Sequence, residues 1–137
     1  MWQRLTSNWA STGTVLVAIS GIVSALVVYC IAYASGDIPA SRRVLGFFLM
    51  SAWSATPYLA AIWAAHRLSQ RKLASVVLLF GTSGILAFAA YIIIQATLLY
   101  PHDGQSGFAL VLLPLCQWLG LGVTLVVAGF ASWVSNN

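Results

Sequence analysis

The chain is 137 residues long, 61% hydrophobic and only 6% charged. A soluble globule of this size carries about a quarter of its residues as charges to solvate its surface, so water is excluded as the main solvent and lipid takes its place. The net charge of +4 comes from six basic and two acidic residues, without the long basic stripes that nucleic-acid binding requires.

The first apolar stretch covers residues 14–35. Ala32-Tyr33-Ala34 resembles a leader cleavage site, but the stretch exceeds the roughly 7–15 apolar residues of a signal peptide and reads as a membrane span. Thr14, Ala18, Gly21, Ala25, Val28, Ala32 and Ser35 recur at three- and four-residue intervals along it. That spacing puts small residues on one helical face, where a second helix approaches closely.

The second stretch, 44–65, follows Arg42 and Arg43 and carries a stripe of Phe47, Ser51, Ser54, Tyr58, Ala61 and Ala65. Pro57 lies in its middle, which frees the carbonyl of Trp53 and predicts a kink with Ser54 or Thr56 supplying local hydrogen bonds. The third stretch, 74–99, aligns Gly81, Gly84, Phe88, Tyr91 and Gln95. The fourth, 108–132, contains Pro114 and Gln117. A start at Phe108 puts Pro114 about two turns inside this helix, whereas a start near Leu112 puts it harmlessly in the first turn.

Each stretch exceeds the roughly 20 residues that cross a bilayer core of about 30 Å. The links 36–43, 66–73 and 100–107 are short, which forces successive helices to run antiparallel. The expected fold is all-α, a single antiparallel four-transmembrane-helix bundle over residues 1–137. Arg4, Arg67, Arg71 and Lys72 fall on one side against Arg42 and Arg43 on the other. Trp9, Trp63 and Trp133 fall at the more basic ends, so both termini are expected in the cytoplasm.

No Asp, Glu, Lys, Arg or His lies in the apolar part of any stretch. Proton relays, ion-coupled exchangers and voltage sensors need such groups at membrane depth, and general acid–base catalysis needs a positioned pair. Cys30 and Cys116 form no CxxC. They are too few for a structural zinc site and read as small hydrophobes within their spans. No catalytic residue, metal or cofactor is expected. Gln95 and Gln117 are the strongest polar side chains in the spans. With Gly21, Ala25, Gly81 and Gly84 they mark helix-packing or oligomer seams.

The link 100–107 is chemically dense. Asp103 and Gly104 suit a tight turn and Ser106 suits a helix cap. Arg42, Arg43, His102, Asp103 and Gln105 form a candidate ligand or partner cluster on the outer side, because paired guanidiniums match phosphate oxygens. The plainer reading is an exposed ion pair. A Ser-His-Asp triad is not expected, since a short turn offers no scaffold that holds a base and an oxyanion hole in register.

The segment PHDGQSGFALVLLPLCQW, residues 101–118, resembles one found in uncharacterised small four-helix bacterial membrane proteins that share a D-x-Q-S outer hairpin. The matching positions are Asp103, Gln105, Ser106, Pro114 and Gln117. The resemblance implies a bacterial inner-membrane protein and brings no activity. The expected function is a non-enzymatic membrane subunit surrounded by membrane lipids, packing against a second copy or another membrane protein. The alternatives are a small oligomeric pore or membrane-perturbing effector, as in bacterial defence systems, and a lipid-binding protein or enzyme using the outer hairpin.

Overall fold

A computed structural model describes residues 8–34, 40–95 and 105–134, with the side chains of 32–34, 40–43 and 105–111 outside the description. Among the described residues the chain forms four helices: α1 (Trp9–Ala34), α2 (Ala40–Leu68), α3 (Lys72–Ile94) and α4 (Gln105–Val134). They contain 26, 29, 23 and 30 residues. At 1.5 Å per residue each is longer than the hydrocarbon core of about 30 Å. All four are long and apolar enough to cross a membrane, and the chain is a small multi-pass membrane protein with a four-helix bundle fold.

At the end of the bundle that holds the start of α1, the helices extend beyond the apolar stretches, and polar residues there are bonded within the bundle. Asn8 caps α1: its backbone carbonyl accepts from Thr12 N at 3.2 Å, and its side-chain oxygen accepts from Ala10 N at 3.2 Å. This is the N-cap arrangement that satisfies the first free amides of a helix. The helix therefore starts at Trp9, five residues before the apolar stretch at 14. The α2–α3 link shrinks to Ser69, Gln70 and Arg71. Because α4 begins at Gln105, Pro114 stands well inside the helix and not in its first turn.

The tightest pairings are α1 with α2 and α3 with α4, followed by α1 with α3; α2 meets α4 more sparsely. The core is made of small residues and a few large ones: Ala18, Tyr58, Ala61, Ala64, Ala65, Leu78 and Leu121. The large aliphatic and aromatic side chains point outward instead, with Phe80, Leu119 and Val126 at 70%, 73% and 74% exposure. A water-soluble bundle would reverse this sorting. In lipid, small residues at the seams let backbones approach and gain dispersion contacts.

Two glycines show how closely the helices meet. A Cβ added at Gly21 would lie 2.4 Å from Cε1 of Tyr58, and one at Gly81 would lie 2.2 Å from Cγ2 of Thr124. Each glycine is the hole into which a side chain from the neighbouring helix fits. Both therefore serve packing within this bundle.

Pro57 removes the amide that would bond the carbonyl of Trp53. The hydroxyl of Thr56 takes its place, donating to Trp53 O at 2.7 Å. The indole Nε1 of Trp118 then donates to Thr56 Oγ1 at 3.2 Å, so the break in α2 becomes a tie to α4. Trp9, Trp63 and Trp133 are exposed at the same end of the bundle, and Arg67 lies over the Trp63 ring at 5.3 Å. An interfacial aromatic belt has this composition.

Candidate functional site: a polar knot and a buried cavity

The end of the bundle that holds the start of α1 carries a knot of hydrogen bonds. The last carbonyls of α2 have no partner within that helix, and α1 and α3 supply donors to them. Asn8 Nδ2 donates to Ser69 O at 2.9 Å and to Ser75 Oγ at 3.0 Å. The Ser75 hydroxyl donates to Leu68 O at 2.8 Å, which also accepts from Arg71 N at 2.8 Å. Ser11 Oγ lies 3.3 Å from Ala65 O and 3.1 Å from Ser75 Oγ, and its single proton serves one of them. Ser69 Oγ donates to His66 O at 2.9 Å. Arg71 Nη1 reaches across to α4, donating to Ser132 O at 3.3 Å and to Ser132 Oγ. Asn8, Ser11, Ser69 and Ser75 are all buried. The side chains of Asn8, Ser11, Ser69, Arg71 and Ser75 are each committed to another group, while the buried His66 Nδ1 at the end of α2 has no hydrogen-bond partner. The knot's chemistry is structural, since it fixes a three-residue turn and gathers the ends of four helices.

Toward the other end of the bundle, all four helices surround a cavity of about 50 Å³. Its polar wall comes from Tyr29, Ser54, Tyr58 and Gln117, and its apolar wall includes Leu86, Ala89 and Ile93. The Ser54 hydroxyl donates to the Tyr29 hydroxyl at 3.0 Å. Gln117 Nε2 donates to the Tyr58 hydroxyl at 3.1 Å. Gln117 is 3% exposed, yet its Oε1 has no hydrogen-bond partner. An unpaired amide oxygen in a dry interior is costly, about 1–3 kcal/mol. No side chain on the cavity wall is charged. The arrangement can hold an uncharged hydrogen-bonding group; it offers neither a nucleophile with a base nor an ionisable relay.

The residues singled out in the sequence disperse. Gly21, Ala25 and Gln117 line the cavity. Gly81 packs on Thr124, and Gly84 has no neighbouring heavy atom within 4 Å of where a Cβ would stand. Gly81 and Gly84 also line an outer groove between α3 and α4 of about 420 Å³, together with Phe88, Cys116, Leu119, Gly120 and Gln117, which thus stands between the groove and the cavity. Gln95 caps the end of α3, its backbone N–H donating to the carbonyls of Tyr91 and Ile92. Cys30 and Cys116 are free thiols, and both are exposed. Each cysteine lies within its span, as expected, on the outward side of its helix. His102 and Asp103 lie outside the described residues, as do the side chains of Arg42, Arg43 and Gln105.

The Asn8 knot went unseen in the sequence because the first apolar stretch reads as beginning at Thr14, beyond the residues that build the knot on α1. An Asn standing just before the first helical turn is the signal that marks such a cap. No family model, curated protein or solved structure matches the chain.

Proposed function

We propose that the protein is a non-enzymatic subunit of the bacterial inner membrane, with both termini in the cytoplasm, that associates within the bilayer with a second copy of itself. The observation that supports this most directly is the outer groove between α3 and α4. Its floor contains Gly84, where an added methyl group would meet no neighbouring atom within 4 Å, and Gly120, where a Cβ would meet only Ile85, at 3.1 Å. Glycines that already receive a neighbouring side chain, as Gly21 and Gly81 do, are accounted for by this bundle. Gly84 is not. In hydrocarbon a glycine-floored groove favours a second helix, since close backbone approach is the main source of association energy there.

The pore reading has less support. The polar side chains that would have to converge on an oligomer axis include Ser51, Ser54 and Gln117, and these are 5%, 3% and 3% exposed inside a single bundle. A wettable stripe on the outer face would need them turned outward. The outer-hairpin cluster of Arg42, Arg43, His102, Asp103 and Gln105 stays a second place where lipid phosphate or a partner would be recognised.

Disulfide trapping tests the association. In a variant with Cys30 and Cys116 replaced by Ser, Gly84→Cys is expected to form a disulfide-linked dimer in native membranes under mild oxidant. Ser20→Cys, on an exposed face of α1, serves as the comparison and is expected to stay monomeric. Equal trapping at both positions, or none at Gly84→Cys, counts against the groove.

A further inference from the structure

We infer that the cavity at Gln117 and Tyr58 is a binding site for the head of an uncharged single-chain amphiphile, a lipid alcohol or primary amide, whose tail leaves between α1 and α3.

The hydrogen-bond deficit defines the head. Gln117 Oε1 lacks a partner while Nε2 is held by the Tyr58 hydroxyl at 3.1 Å. Turning the amide over moves the deficit from oxygen to nitrogen without removing it. The Tyr58 hydroxyl, which accepts from Gln117, keeps its own proton for another acceptor. One group that completes both Gln117 Oε1 and the Tyr58 proton donates and accepts at once, and it also serves the turned amide, whose Nε2 needs an acceptor alone. A hydroxyl or a primary amide does both; an ether or ester only accepts. A carboxylate or ammonium would enter a cavity that presents no charged side chain, at a desolvation penalty that nothing offsets.

The shape defines the tail. At about 50 Å³ the cavity has room for roughly three to five waters at about 10–15 Å³ each, which is enough for a small head and too little for a phospholipid headgroup. Its α3 wall is apolar: Leu86, Ala89 and Ile93 offer a water no partner. Two wall residues, Ser24 of α1 and Ala90 of α3, are themselves exposed, and they mark where the cavity opens. Ser24 lies about 22 Å along α1 from Trp9 at 1.5 Å per residue, well inside the hydrocarbon. The mouth faces acyl chains, and what arrives through it must be lipid-soluble. An amphiphile fills this description with its head on Gln117 and its chain still among the lipids.

The test uses the full-length protein in phosphatidylcholine nanodiscs and a photoactivatable diazirine analogue of octanol, with labelled peptides located by mass spectrometry. Saturable labelling is expected on the segments holding Tyr29 and Tyr58. Octanol should compete about tenfold better than octyl methyl ether at equal membrane concentration, the ratio expected for one hydrogen bond in a dry site. Gln117→Met should abolish the saturable component. Because that substitution touches the core, Ala90→Leu provides the second arm: it obstructs the mouth from an exposed position and should give the same loss in a protein that still unfolds cooperatively. Labelling that does not saturate overturns the proposal, as does equal competition by the ether, which would mean plain partitioning. Saturable labelling unchanged in Ala90→Leu overturns it too, whatever Gln117→Met does.

Discussion

Gln117 on α4 donates from Nε2 to the hydroxyl of Tyr58 on α2 at 3.1 Å, and this bond joins two helices that otherwise meet sparsely. The Tyr58 ring can occupy that position only because α1 presents Gly21 beneath it, where a Cβ would lie 2.4 Å from Cε1. One glycine on α1 thereby sets a contact between α2 and α4.

Gly21→Ala is accordingly expected to destabilise the bundle by about 1–3 kcal/mol, the usual cost of overpacking a fitted core. Gly84→Ala meets open space and should be neutral or mildly stabilising, within about 1 kcal/mol, because alanine favours the helix. Unfolding titrations in mixed micelles with a denaturing detergent measure both. Equal effects at the two positions would show that the Tyr58–Gly21 fit is not what restricts residue 21.

Asn8→Ala removes the cap of α1, one donor bond to the α2–α3 turn at Ser69 O and one to Ser75 Oγ on α3. The expected loss is about 1–3 kcal/mol, since the Ser69 carbonyl is left buried without its donor. Ser20→Ala is the comparison, because its hydroxyl is exposed and only bonds back to Leu16 O at 3.0 Å. It should change stability by less than about 0.5 kcal/mol. An Asn8→Ala protein as stable as the Ser20→Ala one would mean that water already satisfies the knot.

Thr56→Val breaks the relay from Trp118 through Thr56 to the Trp53 carbonyl. A loss of about 1 kcal/mol is expected, in line with hydrogen bonds between membrane helices. In a Pro57→Ala background the restored amide can bond Trp53 O directly, so the same substitution should cost less. The double-mutant cycle reads this coupling. Additive effects would show that Thr56 does not stand in for the missing amide.

The span content, the bundle class and the glycines worth attention were legible in the sequence, because lipid imposes composition and length on every crossing helix. Thr56 was legible as well, since Pro57 announces a free carbonyl four residues earlier. What stayed hidden depends on which helices meet. The face carrying Gly21 and Ala25 was visible from spacing, but only the fold puts it against Tyr58 and the cavity and not on an outer seam. Polar residues at span ends are ambiguous in the same way: Ser11 and Ser75 become partners only when α1 and α3 lie side by side. The outward turn of Cys30 and Cys116 is a matter of helix rotation, which an apolar sequence surrounded by apolar lipid barely records.

Orientation is tested by labelling. With Cys30 and Cys116 replaced, an impermeant thiol reagent applied to intact cells is expected to reach Gly104→Cys and not Gln70→Cys. Gln70 suits this better than Ser69 because it is exposed in the α2–α3 turn, whereas Ser69 is buried. Labelling of Gln70→Cys alone would reverse the topology and put the outer hairpin in the cytoplasm.

Native mass spectrometry of the protein released from nanodiscs tests the association most directly, because it counts copies without relying on any chosen contact. The wild type is expected as a dimer or higher assembly, and Gly84→Leu, which fills the α3–α4 groove, as a single chain that remains folded. A wild type that is released as one chain, with no second copy bound at any protein-to-lipid ratio, would contradict the proposed role.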